Sequence, residues 1–158
     1  MSEESMSRDE VLAQLNDDWS EFLNDFDSLD ILQRDDYFKT KKQKTLKDLL
    51  ICICGYWSGT SGITIGLLQN GLFLSDLQSA EKVQADSVEN AVDVYQKNFP
   101  YEEKDFRMLF FEELNTFTQF VKTLPEDAWD NEAFHFMVLN ATLILYEECF
   151  RLPRKTVQ

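Results

Sequence analysis

The chain has 158 residues, of which 44% are hydrophobic and 28% charged, values typical of one globular domain rather than of a disordered chain. Its formal net charge of −14 argues against nucleic acid as a partner, because phosphate binding needs a basic surface. Five Gly and three Pro are too few for the turns of an all-β domain, and three cysteines without paired spacing predict free thiols in a reducing, cytoplasmic compartment.

The first predicted helix begins near the N-terminus. Residues 1–6 are expected to form a disordered tail, and they lack the basic and apolar stretches of a signal peptide. Ser7 and Glu10 have the spacing of a capping box. Apolar residues then recur at spacings of three and four, which places them on one face of a helix: Val11, Leu12, Leu15, Trp19, Phe22, Leu23 and Phe26. A polar connection is predicted to follow, ending in lysines at positions 39, 41, 42, 44 and 47.

The charges near the N-terminus are unevenly distributed. Residues 1–36 contain twelve acidic residues against two arginines, Arg8 and Arg34. One interpretation is a solvated helix surface followed by a lysine-rich connection. The other is an acidic docking face for a basic partner, or a mimic of nucleic acid.

Predicted helix two begins at Thr45, with Asp48 as its capping partner, and runs to about Leu68. Residues 49–68 hold no charged side chain, so a membrane span is one interpretation. Many of these residues are Gly, Ser or Thr, however, and the amphipathic helices elsewhere need an apolar helix to cover. We therefore expect a buried central helix and no membrane association.

The remaining elements complete the predicted fold. The helical pattern of the stretch 75–99 is interrupted, and it predicts a short helix beginning near Ser87. Helix three is predicted over about 102–124 and helix four over about 131–150, each ended by a following proline. Four long helices in a single domain spanning 1–158 predict an all-α four-helix bundle, with a short extra helix in the connection between helices two and three.

Four of the five glycines lie on one side of predicted helix two. At about 100° per residue, Gly55, Gly59, Gly62 and Gly66 share an arc of roughly 80°, with Cys52 at its edge. A glycine inside a helix costs about 1 kcal/mol relative to alanine, so the glycine stripe calls for a physical reason. Either a neighbouring helix packs closely there with its aromatic rings, or the glycines leave a groove for a ligand.

Few residues near Cys52 favour catalysis. A thiolate nucleophile needs a basic neighbour or a helix N-terminus, and the only histidine, His135, lies on predicted helix four. We therefore expect Cys52 to be a buried apolar thiol and His135 to be a partly buried polar residue. The sequence contains neither a CxxC nor an HExxH motif, so no metal and no other cofactor is expected.

Two segments resemble a known helical superfamily. KTLKDLLICICGYW at 44–57 resembles the second helix of the DinB-like four-helix-bundle superfamily, where a Thr or Ser is followed by Asp-Leu-Leu-x-His, a small residue and Trp. LYEEC at 145–149 is similar to the His-Tyr-x-x-His motif of its last helix, and residues 90–129 are similar in layout to the ClbS/DfsB-type branch. The likeness covers roughly residues 8–152.

The resemblance implies a site as well as a fold. Members of the superfamily bind a divalent metal through three histidines; some are thiol-dependent transferases or isomerases, and ClbS-like members are hydrolases that protect against a genotoxin. The corresponding positions here are Cys52, Leu145 and Cys149, so all three histidines are missing. The resemblance implies that these residues converge at one end of the bundle, in a pocket without metal that is lined also by Gly55, Tyr56, Gly59 and Gly62.

Three functions are compatible with these observations. The first is a DinB-like protein without the metal triad that binds a small molecule or a protein, or acts in stress protection. The second is a metal-independent enzyme, a ClbS-like hydrolase or a thiol transferase, acting through a thiol or Tyr56 in the same pocket. The third is an acidic interaction protein, such as an immunity or regulatory factor, that uses residues 1–36. A homodimer is a further expectation, since such bundles commonly pair.

Overall fold

The computed structural model describes residues 6–39, 41–74 and 76–149, and these residues are all-α, without a strand. The helices are α1 (Arg8–Asp17), α2 (Phe22–Asp27), α3 (Ile31–Lys39), α4 (Leu46–Gln69), α5 (Leu77–Asn98), α6 (Glu103–Thr123), α7 (Glu126–Trp129) and α8 (Glu132–Leu139). A 3₁₀ turn at Trp19–Glu21 joins α1 to α2, and a π-helical turn at Asn140–Ile144 joins α8 to a last helical segment over 145–149. The predicted all-α class is confirmed. Most of the predicted tail and the predicted end of helix four lie outside the described residues.

Short polar side chains begin several of these helices. The predicted capping box is present in α1, where the Ser7 amide donates to Glu10 Oε1 (2.8 Å) and the Glu10 amide donates to Ser7 Oγ (3.1 Å). Thr45 caps α4 as predicted, because its Oγ1 accepts the Asp48 amide at 3.1 Å. These bonds satisfy amides that have no partner within the helix, and so they fix where each helix begins.

The sequence predicts one continuous first helix, but the structure divides it. A 3₁₀ turn separates α1 from α2, and the Ser20 hydroxyl donates to the carbonyl of Asn16. A serine that bonds back to the preceding turn competes with regular helical bonding. Because residues three apart share one side of a 3₁₀ turn, Trp19 and Phe22 both stay in the core, with ring centroids 5.5 Å apart.

The prediction of a short helix beginning near Ser87 is wrong. α5 starts ten residues earlier, after the capping residue Asp76, and it makes the most extensive helix contact among the described elements, against α4. Its buried residues are Ala80, Gln84 and Val88, so one small and one polar side chain occupy part of the face that packs inward. The stretch predicted as a polar connection after helix one likewise contains a helix, α3.

α4 is the central helix of the structure. It packs against α5 and α6 and touches α8 and the π-helical turn, while α1 packs against α6 and the same turn. Aromatic rings fill the space between these elements. The Trp57 ring centroid lies 5.0 Å from that of Trp19 and 5.4 Å from that of Phe110, and all three side chains are almost completely buried.

Arg8 joins the first helix to the end of α6. Its guanidinium donates to the carbonyls of Val121 (3.0 Å) and Leu124 and to the carboxylate of Glu126 (2.7 Å). The last carbonyls of a helix have no partner within it and carry partial negative charge, so an arginine is a favourable cap. The same guanidinium lies 5.4 Å from the centroid of the Trp129 ring.

Two glycines of the stripe allow α4 and α5 to approach closely. A Cβ at Gly59 would lie 2.8–2.9 Å from backbone atoms of Val88 and Ser87, and a Cβ at Gly55 would overlap the Val92 side chain. Ser87 Oγ also donates to the Gly59 carbonyl at 2.8 Å. Close helix packing therefore accounts for this half of the stripe, although valines of α5 and not aromatic rings contact it.

The other two glycines of the stripe face open space. No described atom lies within 4 Å of a Cβ built at Gly62 or Gly66. The glycine stripe therefore has two environments. Gly55 and Gly59 pack against α5, and Gly62 and Gly66 have free space in which a side chain would fit.

Two buried tryptophans bond to the π-helical turn. Trp57 Nε1 donates to the Ala141 carbonyl at 3.0 Å, and Trp19 Nε1 donates to the Thr142 carbonyl at 3.3 Å. In a π-helical turn the amides bond five residues back instead of four, which changes the carbonyl positions relative to a regular helix. The sequence predicts a regular helix at this point, whereas in the structure the two indoles satisfy carbonyls of a wider turn.

A buried polar cluster lies beside the same turn. Gln84 of α5 donates to Thr60 Oγ1 (2.8 Å) and to the Met137 carbonyl (2.9 Å), and its side-chain oxygen accepts a bond from Asn140 (2.9 Å). Gln84 is 2% exposed, and a buried amide without partners would destabilise the fold. These bonds therefore fix α4, α5 and α8 in one register.

Within the described residues, α4 is long and apolar enough to cross a membrane, with a mean hydropathy of 1.3 over its most apolar stretch. However, 56% of that stretch is buried inside the protein. The core helix of a helical domain has the same composition, so the burial favours the central helix expected from the sequence.

Alanine should have opposite effects on the free energy of unfolding in the two glycine environments. Gly59→Ala should lower the free energy of unfolding by roughly 1–3 kcal/mol, because its methyl group would overlap backbone atoms of α5. Gly66→Ala should raise it by about 0.5–1 kcal/mol, since alanine favours a helix and nothing obstructs the methyl group. Urea unfolding measures both values. A stabilised Gly59→Ala protein would show that α5 does not approach α4 in this way.

The bond to the π-helical turn gives a second prediction. Trp57→Phe should destabilise the protein by about 1–3 kcal/mol more than Trp129→Phe does, because it leaves the buried Ala141 carbonyl without its donor. Trp129→Phe is the matched control, because the Trp129 indole contacts the His135 ring and the Arg8 guanidinium through its ring face, and a phenyl ring keeps such a face. Thermal and urea unfolding provide the comparison. Equal losses in the two variants would contradict a stabilising role of the Trp57 bond.

Candidate functional site

A cleft of about 650 Å³ lies between the N-terminal half of α4, the connection that precedes it and the last helical segment. α4 contributes Leu49, Cys52, Ile53 and Tyr56 to its lining. The last segment contributes Leu145, Glu148 and Cys149. Most of these positions are three or four residues apart within their own helix, which is why their side chains share a face.

The structure places the residues of the implied pocket in two different environments. Cys52, Leu145 and Cys149 border one cleft, and Tyr56 borders it beside them. The predicted glycines are not among its described lining residues, since Cβ positions at Gly55 and Gly59 face α5 and that at Gly62 faces open space. Neighbouring residues point about 100° apart around a helix, so the glycine side of α4 and the Tyr56 side face different neighbours.

The connection before α4 places cations at the mouth of the cleft. Lys41 Nζ donates to the backbone carbonyl of Glu148 and lies 5.1 Å from the Tyr37 ring centroid. Lys42 and Gln43 border the same opening. A lysine near the end of a helix is attracted to its last carbonyls, so Lys41 holds the connection against the last segment. The lysine cluster is visible in the sequence. Its place at the cleft could not be predicted, because only the regular spacing of a helix or strand shows which residues share a face, and a connection has no such spacing.

Burial raises the pKa of both thiols that line the cleft. Cys149 is 5% exposed, and its burial, together with the nearby Cys52, raises its pKa to about 12. The pKa of Cys52 is raised by burial and then by Glu148, against an opposing effect of Lys42. Both thiols are therefore protonated at neutral pH, and a protonated thiol is a poor nucleophile.

Neither Tyr56 nor His135 supplies the nucleophile or general base that the protonated thiols fail to provide. Burial raises the pKa of the half-buried Tyr56 phenol, so it acts as a neutral hydrogen-bonding group. His135 is partly buried at the start of α8, where its ring stacks on Trp129 with centroids 4.5 Å apart. It is not among the described residues that line the cleft. The described lining can hold a molecule by apolar contact and hydrogen bonds, and its two thiols and its tyrosine are all in their protonated, weakly nucleophilic forms at neutral pH.

The residues at the three superfamily metal positions do not fit a metal ion. Leu145 has no donor atom, so two thiols are the donors that remain at the three positions. Their pKa values are raised, and a metal would have to displace a proton from both Cys52 and Cys149. Over the described ranges, no group of three or more His, Cys, Asp or Glu side chains could hold a metal. Among the described residues of the cleft, the donor set therefore differs from the three histidines that the resemblance implies for a metal centre.

No protein-family model matches the chain, and no curated protein or solved structure is significantly similar to it. The resemblance to the DinB-like superfamily therefore stays a prediction. What the cleft can do follows from its own residues.

The raised pKa values predict slow modification of the cleft thiols. At pH 7, iodoacetamide should alkylate Cys52 more slowly than free cysteine, and Cys149 at least about tenfold more slowly, because only the thiolate reacts. The rates should rise with pH beyond the range in which free cysteine levels off, and the partly buried Cys52 should react before the more deeply buried Cys149. Mass spectrometry of digested time points measures each site. Rapid labelling of Cys52 at pH 7 would contradict a protonated thiol and favour an enzyme.

Proposed function

We propose that this chain is a DinB-like four-helix-bundle protein that binds a small, largely apolar molecule without a metal. The cleft between α4 and the last helical segment carries the proposal. Its volume of about 650 Å³ falls in the range of small-molecule sites, roughly 300–1,000 Å³. A stress-protection role would follow if the bound molecule is harmful to the cell.

The bundle assignment is supported by the order of the main helices. α1 with α2, α4, α6, and α8 with the segment after it correspond in order to the four predicted helices. α5 is an additional long helix, which packs against α4 at Gly55 and Gly59. The cleft borders Cys52, Leu145 and Cys149, which the superfamily resemblance implies to lie in one pocket, whereas the glycines that it implies there face α5 or open space.

The lining defines the kind of molecule that fits. Leu49, Ile53 and Leu145 provide apolar contact, and two protonated thiols extend this apolar surface. Tyr56 and the amide of Gln43 provide hydrogen-bonding groups, and Lys41, Lys42 and Glu148 place charges around the polar end of the cleft. A molecule with an apolar body and one polar end matches this distribution, because the body can leave water while the polar end is still hydrogen-bonded.

A metal-independent hydrolase or thiol transferase is the second candidate for the same cleft, since two thiols and a tyrosine line it. Such an enzyme needs a thiolate or a general base. The raised pKa values of Cys52 and Cys149 keep the thiolates scarce at neutral pH, and this favours binding over catalysis.

Titration with N-phenyl-1-naphthylamine tests the proposal. This neutral dye becomes fluorescent in apolar surroundings, and the wild-type protein should bind it saturably. Cys52→Phe should weaken dye binding at least about tenfold, because the new ring occupies part of the cleft that the partly buried Cys52 borders.

Val94→Phe is the matched control, since it introduces the same ring at a position of α5 that is 59% exposed and does not border the cleft. It should leave dye affinity unchanged, and so should a chelator. Equal losses in the two variants, or no saturable binding by the wild-type protein, would contradict the binding site. Near-stoichiometric zinc or nickel in the purified protein would contradict the absence of a metal.

A further inference from the structure

α3 exposes two adjacent aliphatic side chains. Ile31 is 77% exposed and Leu32 is 75% exposed, and both lie in the first turn of this nine-residue helix. Single exposed apolar residues are common on protein surfaces, but two large neighbours form a patch. No described element packs extensively against α3, so the patch is open to a partner.

The helix that carries the pair is held in place at both ends. The Asp30 amide donates to Gln33 Oε1 at 2.9 Å, and the Gln33 amide donates to Asp30 Oδ1 at 2.8 Å. The Arg34 guanidinium lies 4.9 Å from the Phe26 ring centroid, and Tyr37 is 2% exposed. Ile31 and Leu32 are therefore presented in a fixed position, which lowers the entropy lost on binding.

The surface around the pair is acidic. Asp30, Asp35 and Asp36 are all exposed on the same short helix or at its cap. Asp36 pairs with the exposed Lys39 at 3.4 Å, and Arg34 pairs with an aspartate of α2 at 3.9 Å. Within the described structure, Asp30 and Asp35 have no ion pair, so the patch has net negative charge.

We propose that Ile31, Leu32 and the surrounding aspartates form a docking surface for a basic segment of a partner protein. The segment places apolar side chains over the aliphatic pair and lysine or arginine side chains beside the aspartates. The apolar pair provides the anchor, and the charge selects the partner, because an acidic patch repels nucleic acid and anionic membranes. This surface is separate from the small-molecule cleft and does not depend on it.

A second copy of the chain is a poorer occupant on grounds of charge. It has the same acidic patch and a net charge of −14, so two patches that face each other repel. Its lysine cluster at positions 39, 41, 42, 44 and 47 is the basic surface that it can offer, and the experiment therefore includes self-association as an outcome.

A fluorescein-labelled synthetic amphipathic helix of lysine and leucine is the probe, and its fluorescence anisotropy with the full-length protein measures affinity. The wild-type protein should bind it, more weakly as the salt concentration rises. Ile31→Ser combined with Leu32→Ser should weaken binding about tenfold. Asp35→Asn combined with Asp36→Asn should also weaken binding and reduce its salt dependence. A helix of glutamate and leucine should not bind.

Leu72→Ser combined with Phe73→Ser is the matched control, because it removes two adjacent exposed apolar side chains elsewhere. It should leave affinity unchanged, and circular dichroism should show the same helix content in every variant. The proposal is overturned if the wild-type protein does not bind the probe, if the Ile31 and Leu32 variant binds it normally, or if the control loses affinity equally.

Sedimentation equilibrium tests self-association. A wild-type dimer that the Ile31 and Leu32 substitutions dissociate would show that the surface binds a second copy of the chain and not a basic partner.

Discussion

The bond from the Trp57 indole to the Ala141 carbonyl is the contact on which the placement of the main elements depends. It joins the middle of α4 to the π-helical turn, and Trp19 bonds to the next carbonyl of that turn from the side of the first helices. Tyr56 precedes Trp57, and Leu145 directly follows the turn. Buried hydrogen bonds therefore join the two walls of the cleft, one residue after Tyr56 on α4 and three to four residues before Leu145 on the other side. A molecule in the cleft meets a surface that these bonds already hold in place.

The sequence predicts the helices in which capping signals and apolar spacing agree. α4 and α6 begin and end within two residues of their predicted limits, because apolar residues dominate their buried faces. α5 is different: Gln84 lies at the centre of its buried face, and only the geometry of three helices shows that this amide is fully bonded. α3 was missed for a similar reason, since its first apolar residues face water and only Tyr37 is buried.

The site was predictable in part. Helical spacing and the resemblance together place Cys52, Leu145 and Cys149 at one end of the fold, and these residues do border one cleft. Helical spacing shows which residues share a face of α4, but it does not show which neighbouring element covers that face. The glycines were therefore predicted to line the pocket, although α5 contacts Gly55 and Gly59. The roles of Lys41 and Lys42 depend on the path of a connection, which no periodic pattern describes.

Arg8 has a consequence for the order of folding during synthesis. The carbonyls that it caps lie 113 and 116 positions later in the chain, so α1 leaves the ribosome long before the end of α6 exists. Closing so long a loop costs entropy, and contacts between distant residues slow folding. Until residue 124 has emerged, the buried side chains of α1, among them Val11 and Leu15, have no α6 to pack against. Completion of α6 therefore gives the exposed apolar helix its first distant partner, and the domain closes when the π-helical turn follows and accepts the Trp19 and Trp57 bonds.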